Sequence, residues 1–176
     1  MGSAVKIVVI SDTHMPKKAR HLPDRLLTDL EDCDYIIHAG DWQTMELYKE
    51  LQQFGPVIGV AGNVDGPELN SLLKTKEILR AGDFLIGIVH GHGTGNTTEK
   101  RALESFKDDM VDCIVYGHSH IPVLKEINGV IVFNPGSPTD KRRQQEFSYG
   151  ILTVGEDLRA EHIFLKRKIE IDIGKL

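Results

Sequence analysis

The chain has 176 residues, 40% hydrophobic and 27% charged, enough apolar side chain for one packed core and too little charge bias for a disordered polymer. Its 21 basic and 26 acidic residues leave a formal charge of −5, which argues against a basic nucleic-acid footprint. No apolar run approaches the roughly 18 residues that cross a bilayer, and no leader pattern opens the sequence, so a single cytoplasmic domain over residues 1–176 is expected.

The first element is a near-continuous apolar run, AVKIVVIS over 4–11, which reads as a strand covered on both faces. A polar stretch follows, then a helix opened by Pro23 with Leu26, Leu27 and Leu30 on one face. CDYIIHAGD is a second buried strand, stopping at Gly40-Asp41. Thr44 is placed to cap the next helix, where Leu47, Tyr48, Leu51 and Phe54 recur at helical spacing. PVIGVAGNVDG gives a third strand ending in a polar turn. Strand, helix, strand, helix, strand is the pattern of parallel crossover units.

KEILRAGDFLIGIVH then reads as two short strands about Ala81-Gly82-Asp83. After a Gly-rich loop, a helix is expected from about Asn96, with Asn96 and Glu99 as a capping box and Ala102, Leu103, Phe106 and Met110 on its apolar face. DCIVYGHSH is another buried strand, PVLKEINGVIVFNPG a hairpin about Asn128-Gly129, and SYGILTV with RAEHIFL a second hairpin. The expected fold is α/β, with two packed mixed β-sheets flanked by about four helices. Cys33 and Cys113 have no framework spacing and are expected as small buried hydrophobes in a reducing compartment.

Residues able to ligate metal fall at the strand ends: SDTH, HAGD, GNVD, VHGH and YGHSH. In α/β proteins the C-terminal ends of strands gather on one edge, where ligand sites form. Five of the eight histidines lie in these segments. Asp12 and His14 are two apart, as are His118 and His120, and in extended backbone that spacing puts both side chains on one face. Seven donors result: Asp12, His14, Asp41, Asn63, His90, His118 and His120. Oxygen and imidazole donors without thiolate suit Mn, Fe, Zn or Co, and seven fit two ions sharing a bridging carboxylate better than one tetrahedral ion.

The ordered pieces D-x-H, G-D, G-N-x-[DE], a later H and G-H-x-H resemble the calcineurin-like metallophosphoesterases, and NPGSP at 134–138 resembles their small bacterial and archaeal phosphodiesterase branch. The resemblance implies a four-layer αββα architecture, a β-sandwich with helices outside. It implies that Asp12, His14 and His120 hold one metal, that Asn63, His90 and His118 hold the other, and that Asp41 bridges them. Two divalent ions per chain are implied, Mn²⁺ first, with Zn²⁺, Fe²⁺, Ni²⁺, Co²⁺ and Mg²⁺ as alternatives. The activity implied is a dinuclear phosphodiesterase, hydrolysing by in-line attack of a metal-bound hydroxide.

The family's usual G-N-H-[DE] has Val64 at its histidine here. Val64 cannot donate a proton, so activated phosphodiesters are expected to be cleaved and alkyl monoesters poorly. His92 is the candidate to replace that histidine in part, beside Asp41 and Asn63 as catalytic residues. His38 is expected as a buried hydrogen-bonding residue, His21 and His162 as surface residues, and Asp65 as either an organiser of the Asn63 turn or a plain turn residue. NPGSP reads as a turn, brought by the resemblance towards the site with Ser137 near phosphate, and Lys141, Arg142 and Arg143 as a solvated run or a guide for anions. The partner expected is a small phosphodiester, with no membrane or nucleic acid, and with self-association as a homo-dimer. The competing readings are a catalytically weak scaffold resembling the retromer subunit of this fold, and a DNA nuclease, which the short acidic chain does not favour.

Overall fold

The computed structural model describes residues 3–165. The apolar run at the start forms β1 (Val5–Ile10). Ile7 and Val9 enter one core while Val8 and Ile10 enter another. A strand with both faces covered needs apolar residues on both, which explains why no alternation is visible over the fully buried Ile7–Ile10. β2 (Tyr35–His38) and β3 (Val57–Gly59) lie parallel beside it, reached through the crossover helices α1 (Asp24–Glu31) and α2 (Met45–Gln52). The hairpin β9 (Phe147–Val154) and β10 (Leu158–Leu165) runs antiparallel on the other side, giving the order β10-β9-β1-β2-β3.

The second sheet contains β4 (Lys76–Ala81), β5 (Phe84–Val89), β6 (Cys113–Val115), β7 (Val123–Ile127) and β8 (Val130–Asn134). Its order is β4-β5-β6-β8-β7, with the central β5, β6 and β8 parallel and the two edge pairs antiparallel. The expected pair of mixed sheets is therefore what the chain forms. Ile7, Val9 and Ile37 of one sheet meet Ile86, Ile88, Val115 and Phe133 of the other in a dry middle layer. Each such fully buried large side chain stabilises the fold by roughly 1.5–3 kcal/mol. The first sheet's outer face is covered by α1, α2 and α3 (Pro67–Leu72), through Leu26, Leu30, Leu47, Leu51 and Leu69. The second sheet's outer face is covered by α4 (Thr98–Ser105), through Ala102 and the following Phe106. The layers run α, β, β, α. No helix among the described residues is long and apolar enough to cross a membrane.

Several local expectations change. α3 went unread because six residues with one buried position, Leu69, leave no period to detect; Pro67 at its first turn was the available signal. Helix α4 starts at Thr98 and is capped by Thr97, whose hydroxyl accepts from Lys100 N at 3.2 Å, whereas Asn96 is exposed outside it with φ 58°. Met110 is 91% exposed, because the helix ends at Ser105 and the chain turns before the period can return. Thr44 occupies the N-cap position of α2, but its hydroxyl donates to Met15 O instead. Cys113 is buried as expected and Cys33 only half-buried. His162 is half-buried, its Nε2–H donating to Asn134 O at 2.7 Å with its ring against Phe133.

The parallel strands place five loops on one edge of the sandwich. Asp12 and His14 follow β1, Asp41 follows β2, Asn63 follows β3, His90 follows β5, and His118 and His120 follow β6.

Candidate metal centre

Asp12, His14 and His120 each offer one donor atom, and the three atoms lie within 4.8 Å of one another. Asp12 Oδ1, His14 Nε2 and His120 Nε2 are all buried without a hydrogen-bond partner. His120 Nδ1–H donates to Asp140 O at 2.5 Å, which leaves Nε2 with its lone pair, 3.6 Å from Asp12 Oδ1. An unsatisfied buried polar atom costs about 1–3 kcal/mol, so three aimed at one point call for a shared partner. A carboxylate oxygen and the unprotonated nitrogens of neutral imidazoles are electron-pair donors, and a cation would satisfy them together.

Asp41, His90 and His118 make a second such group. His90 Nδ1–H donates to Ala39 O at 2.8 Å, so in the neutral ring Nε2 is the nitrogen that carries the lone pair. Around that Nε2 stand Asn63 Oδ1 at 2.9 Å, Asp41 Oδ2 at 3.2 Å, His118 Nδ1 at 3.3 Å and Asp12 Oδ1 at 3.8 Å. Lone pairs crowded in this way repel unless a proton or a metal ion lies among them. Asp41 Oδ2 is also 3.6 Å from His14 Nε2, so this carboxylate stands between the two groups. All seven predicted donors are thus brought to one place.

The electrostatics agree. Burial pushes the Asp12 carboxyl up to about 7, only partly offset by His90. Burial also raises Asp41, but the hydrogen bond and charge of His90 outweigh it and bring Asp41 down to about 2. Burial pulls His90 down, yet the bond to Asp41 and the charges of Asp12 and Asp41 hold it above the usual imidazole range. His14 and His118 are lowered mainly by burial, and His120 falls to about 4 for the same reason. Those three imidazoles are neutral near pH 7, the form that binds metal.

These residues converge through a backbone that differs from the extended one expected from their spacing. Asp12 (φ 56°), His14 (φ 45°), Asp41 (φ 60°), His118 (φ 71°) and His120 (φ 61°) are all left-handed, not extended. Such conformations cost a non-glycine residue about 1–2 kcal/mol and collect where function demands them. His118→Gly is therefore expected to be more stable than His118→Ala by about 1 kcal/mol in the metal-free protein, measurable by chemical denaturation. Equal stability would contradict the strain.

Several groups hold these turns. Asp65 is buried, and its carboxylate accepts from Asp41 N at 3.0 Å, Gln43 N at 2.9 Å and Gly62 N at 2.8 Å, so it is an organiser and not a plain turn residue. Asp12 Oδ2 accepts from Ser11 Oγ and from His118 N, both at 2.9 Å, joining the two sheets. His38 is fully buried, bonded to Thr13 Oγ1 and Gly40 N, and stacked on Trp42 at 3.8 Å. Gly62 and Gly117 have no room for a side chain: a Cβ would strike Asp41 at the first and Ser11 at the second.

Residues 134–139 are wholly buried. Ser137 Oγ donates to Asp12 O at 2.8 Å and accepts from Asp140 N at 2.8 Å, while Thr139 Oγ1 donates to Thr13 O at 2.7 Å. The segment is a clamp behind the first loop, and Ser137 is engaged there instead of facing a phosphate. Its run of buried small polar residues was the missed signal. His92 is exposed at the rim, its ring centroid 5.4 Å from His90 and 6.5 Å from His118. Val64 is 48% exposed and its N–H donates to Asp41 Oδ1. Lys141 lies over the Phe147 ring, while Arg142 and Arg143 are exposed.

Comparison with known proteins follows the same lines. The model of the calcineurin-like phosphoesterase superfamily domain matches residues 5–157. The probable metallophosphoesterase MJ0623 of Methanocaldococcus jannaschii is 36% identical over 143 residues, 81% of this chain and 72% of that protein. Phosphodiesterase MJ0936 of the same organism is 29% identical over 150 residues, 75% of this chain and 83% of that protein. Vacuolar protein sorting 29 from Cryptosporidium parvum superposes with a TM-score of 0.74 over 94% of this chain and 100% of its own, and at 19% identity shares the fold alone.

Proposed function

The chain belongs to the calcineurin-like phosphoesterase superfamily, and from that premise we propose that it hydrolyses phosphodiesters at a pair of divalent cations. The observation that carries the reading is the trio of buried, unpartnered donor atoms on Asp12, His14 and His120 beside the Asp41–His90–His118 group. Asp12, His14 and His120 would hold one cation, and Asn63, His90 and His118 the other, with Asp41 touching both. Mn²⁺ is the cation we propose, since mixed carboxylate, amide and imidazole ligation suits it; Zn²⁺, Fe²⁺, Ni²⁺, Co²⁺ and Mg²⁺ are the alternatives. When bound, such a pair supplies Lewis acidity that clamps a phosphoryl group and acidifies water near neutral pH.

The protein's own groups do the rest. Tautomers fixed by Ala39 O and Asp140 O aim His90 and His120 inward. Asn63 carries its amide to the solvent-facing rim. His92 stands at the same rim with a ring free to donate a hydrogen bond to a substrate oxygen.

Val64 sets the leaving group. No imidazole stands at that position to protonate a departing alkoxide, and such proton donation is typically worth 10²–10⁴-fold. The Mn²⁺-loaded protein is expected to favour an aryl phosphodiester over an alkyl phosphomonoester by at least about 100-fold in kcat/KM. Val64→His should narrow that gap, and a wild-type preference for alkyl monoesters would refute the assignment. Chelation should abolish hydrolysis and Mn²⁺ should restore it, with a rise in stability of about 2.7 kcal/mol at a free metal concentration 100 times Kd.

A further inference from the structure

Beside the second donor group lies a cleft of about 350 Å³, between the start of β4, the loop after β5 and helix α4. It is lined by Thr75, Lys76, His90, His92, Arg101 and Ser105, among others. His90 and the exposed His92 both line it, and His90 is also a member of the second donor group. The volume falls at the small end of the 300–1,000 Å³ range of ligand sites.

Two cations border this cleft, and they differ. Lys76 Nζ is neutralised by Asp109 at 2.5 Å and also donates to Ser105 O at 2.8 Å. Arg101 has no carboxylate partner among the described residues. Its Nε–H donates to Gly91 O at 2.9 Å, Nη1 to Gly95 O at 2.6 Å and Asn96 O at 2.9 Å, and Nη2 to Thr98 Oγ1 at 3.4 Å. Those acceptors are all neutral. They fix the guanidinium and leave its charge uncompensated, with one of its five N–H donors on Nη2 unused. Gly93 packs on the stem, where a Cβ would sit 2.9 Å from Arg101 Cδ. A held guanidinium with free charge is a preorganised partner for phosphate oxygens.

We propose that this cleft receives the ester arm of the substrate that does not leave, and that Arg101 selects arms carrying a second phosphate. The inference rests on the phosphodiesterase reading and names its substrate class: phosphodiesters bearing a further phosphate one small polar group away from the scissile one. Arg101 is a specificity-determining residue in this scheme, and the scissile bond is broken elsewhere.

Two p-nitrophenyl diesters with the same leaving group test it: thymidine 5′-(p-nitrophenyl phosphate), and its analogue with an added 3′-phosphate. The Mn²⁺-loaded wild type should prefer the phosphorylated arm at least tenfold in kcat/KM, chiefly through KM. Ser105→Glu sets a carboxylate four residues from Arg101 on α4, where it can neutralise the guanidinium without disturbing the loop that Arg101 anchors. That variant should bring the ratio close to one, and Ser105→Gln, equal in size and uncharged, should keep it. A wild-type ratio near one, or loss of preference in both variants alike, would overturn the proposal while leaving the phosphodiesterase reading intact. A second readout needs no metal: titrating chelated, ¹⁵N-labelled protein with thymidine 3′,5′-bisphosphate should shift the Arg101 Nε–H resonance in the wild type and not in Ser105→Glu. No shift in the wild type, or the same shift in both, would also overturn it. If neither diester is hydrolysed, the phosphodiesterase reading falls and the substrate assignment falls with it; the Arg101 resonance then reports on phosphate binding alone.

Discussion

Replacing Asp41 by asparagine is expected to reduce aryl phosphodiester hydrolysis by about 10³-fold without unfolding the protein. Oδ2 of this residue is 3.2 Å from His90 Nε2 and 3.6 Å from His14 Nε2, one atom facing both donor groups. An amide of the same shape can keep the Val64 N–H on its oxygen, as Oδ1 does now. What it would lose is the negative charge that the proposed centre needs to hold two cations together. Charge stabilisation at such centres is worth several kcal/mol, and about 4 kcal/mol corresponds to three decades in rate. The same change removes repulsion with Asp12, whose carboxyl is already pushed up by burial and by the Asp41 charge. It also removes the charge that His90 pairs with; the two effects oppose each other, and the metal-free variant should stay folded, within about 2 kcal/mol of the wild type. Loss of activity with retained stability, read by turnover and urea denaturation on the same preparations, is the expected pair of results. Activity within tenfold of wild type would refute the proposed bridging role of Asp41.

Asp65→Ala should do the opposite and weaken the fold first. Three backbone N–H groups, from Asp41, Gln43 and Gly62, converge on this one carboxylate in a buried setting. Hydrogen bonds to charged groups contribute roughly 1.5–3 kcal/mol each, and the donors left behind cannot all reach water. A loss of about 3–5 kcal/mol is expected by analogy with broken buried networks. Asp65→Asn should lose about half as much, because its single oxygen can still serve Asp41 and Gly62 while the amide nitrogen faces Gln43 N–H. Equal stability of wild type and Asp65→Ala would mean that the loops bearing Asp41 and Asn63 are held by something else. Any residual activity of Asp65→Ala should rise with added Mn²⁺, since a cation would help to reassemble the loops it binds.

The sheets were legible because burial on two faces writes itself into composition. IVVI, CIV and GIL have no polar positions, and each lies in a central strand or its buried partner. The donor residues were legible for a related reason: polar residues placed directly after such strands share one edge whenever the strands are parallel. The left-handed turns at Asp12, His14, His118 and His120 were not visible, since nothing in a D-x-H or H-x-H string reports φ. Those turns depend on distant partners, such as Asp12 Oδ2 accepting from His118 N across 106 residues. The NPGSP clamp was hidden for the same reason. Locally it reads as a turn, while its bonds run from Ser137 and Thr139 back to the backbone of Asp12 and Thr13. Met110 and the cap at Thr97 show the smaller failure, in which a real period was extended past the point where tertiary contacts stop the helix.

The most direct measurement is an anomalous difference map from crystals of the wild type grown with Mn²⁺. Two peaks about 3.5–4 Å apart are expected, one bounded by Asp12, His14 and His120, the other by Asn63, His90 and His118, with Asp41 in reach of both. No peak at these residues, or a single peak that leaves either group of donors unengaged at saturating metal, would contradict a paired metal centre.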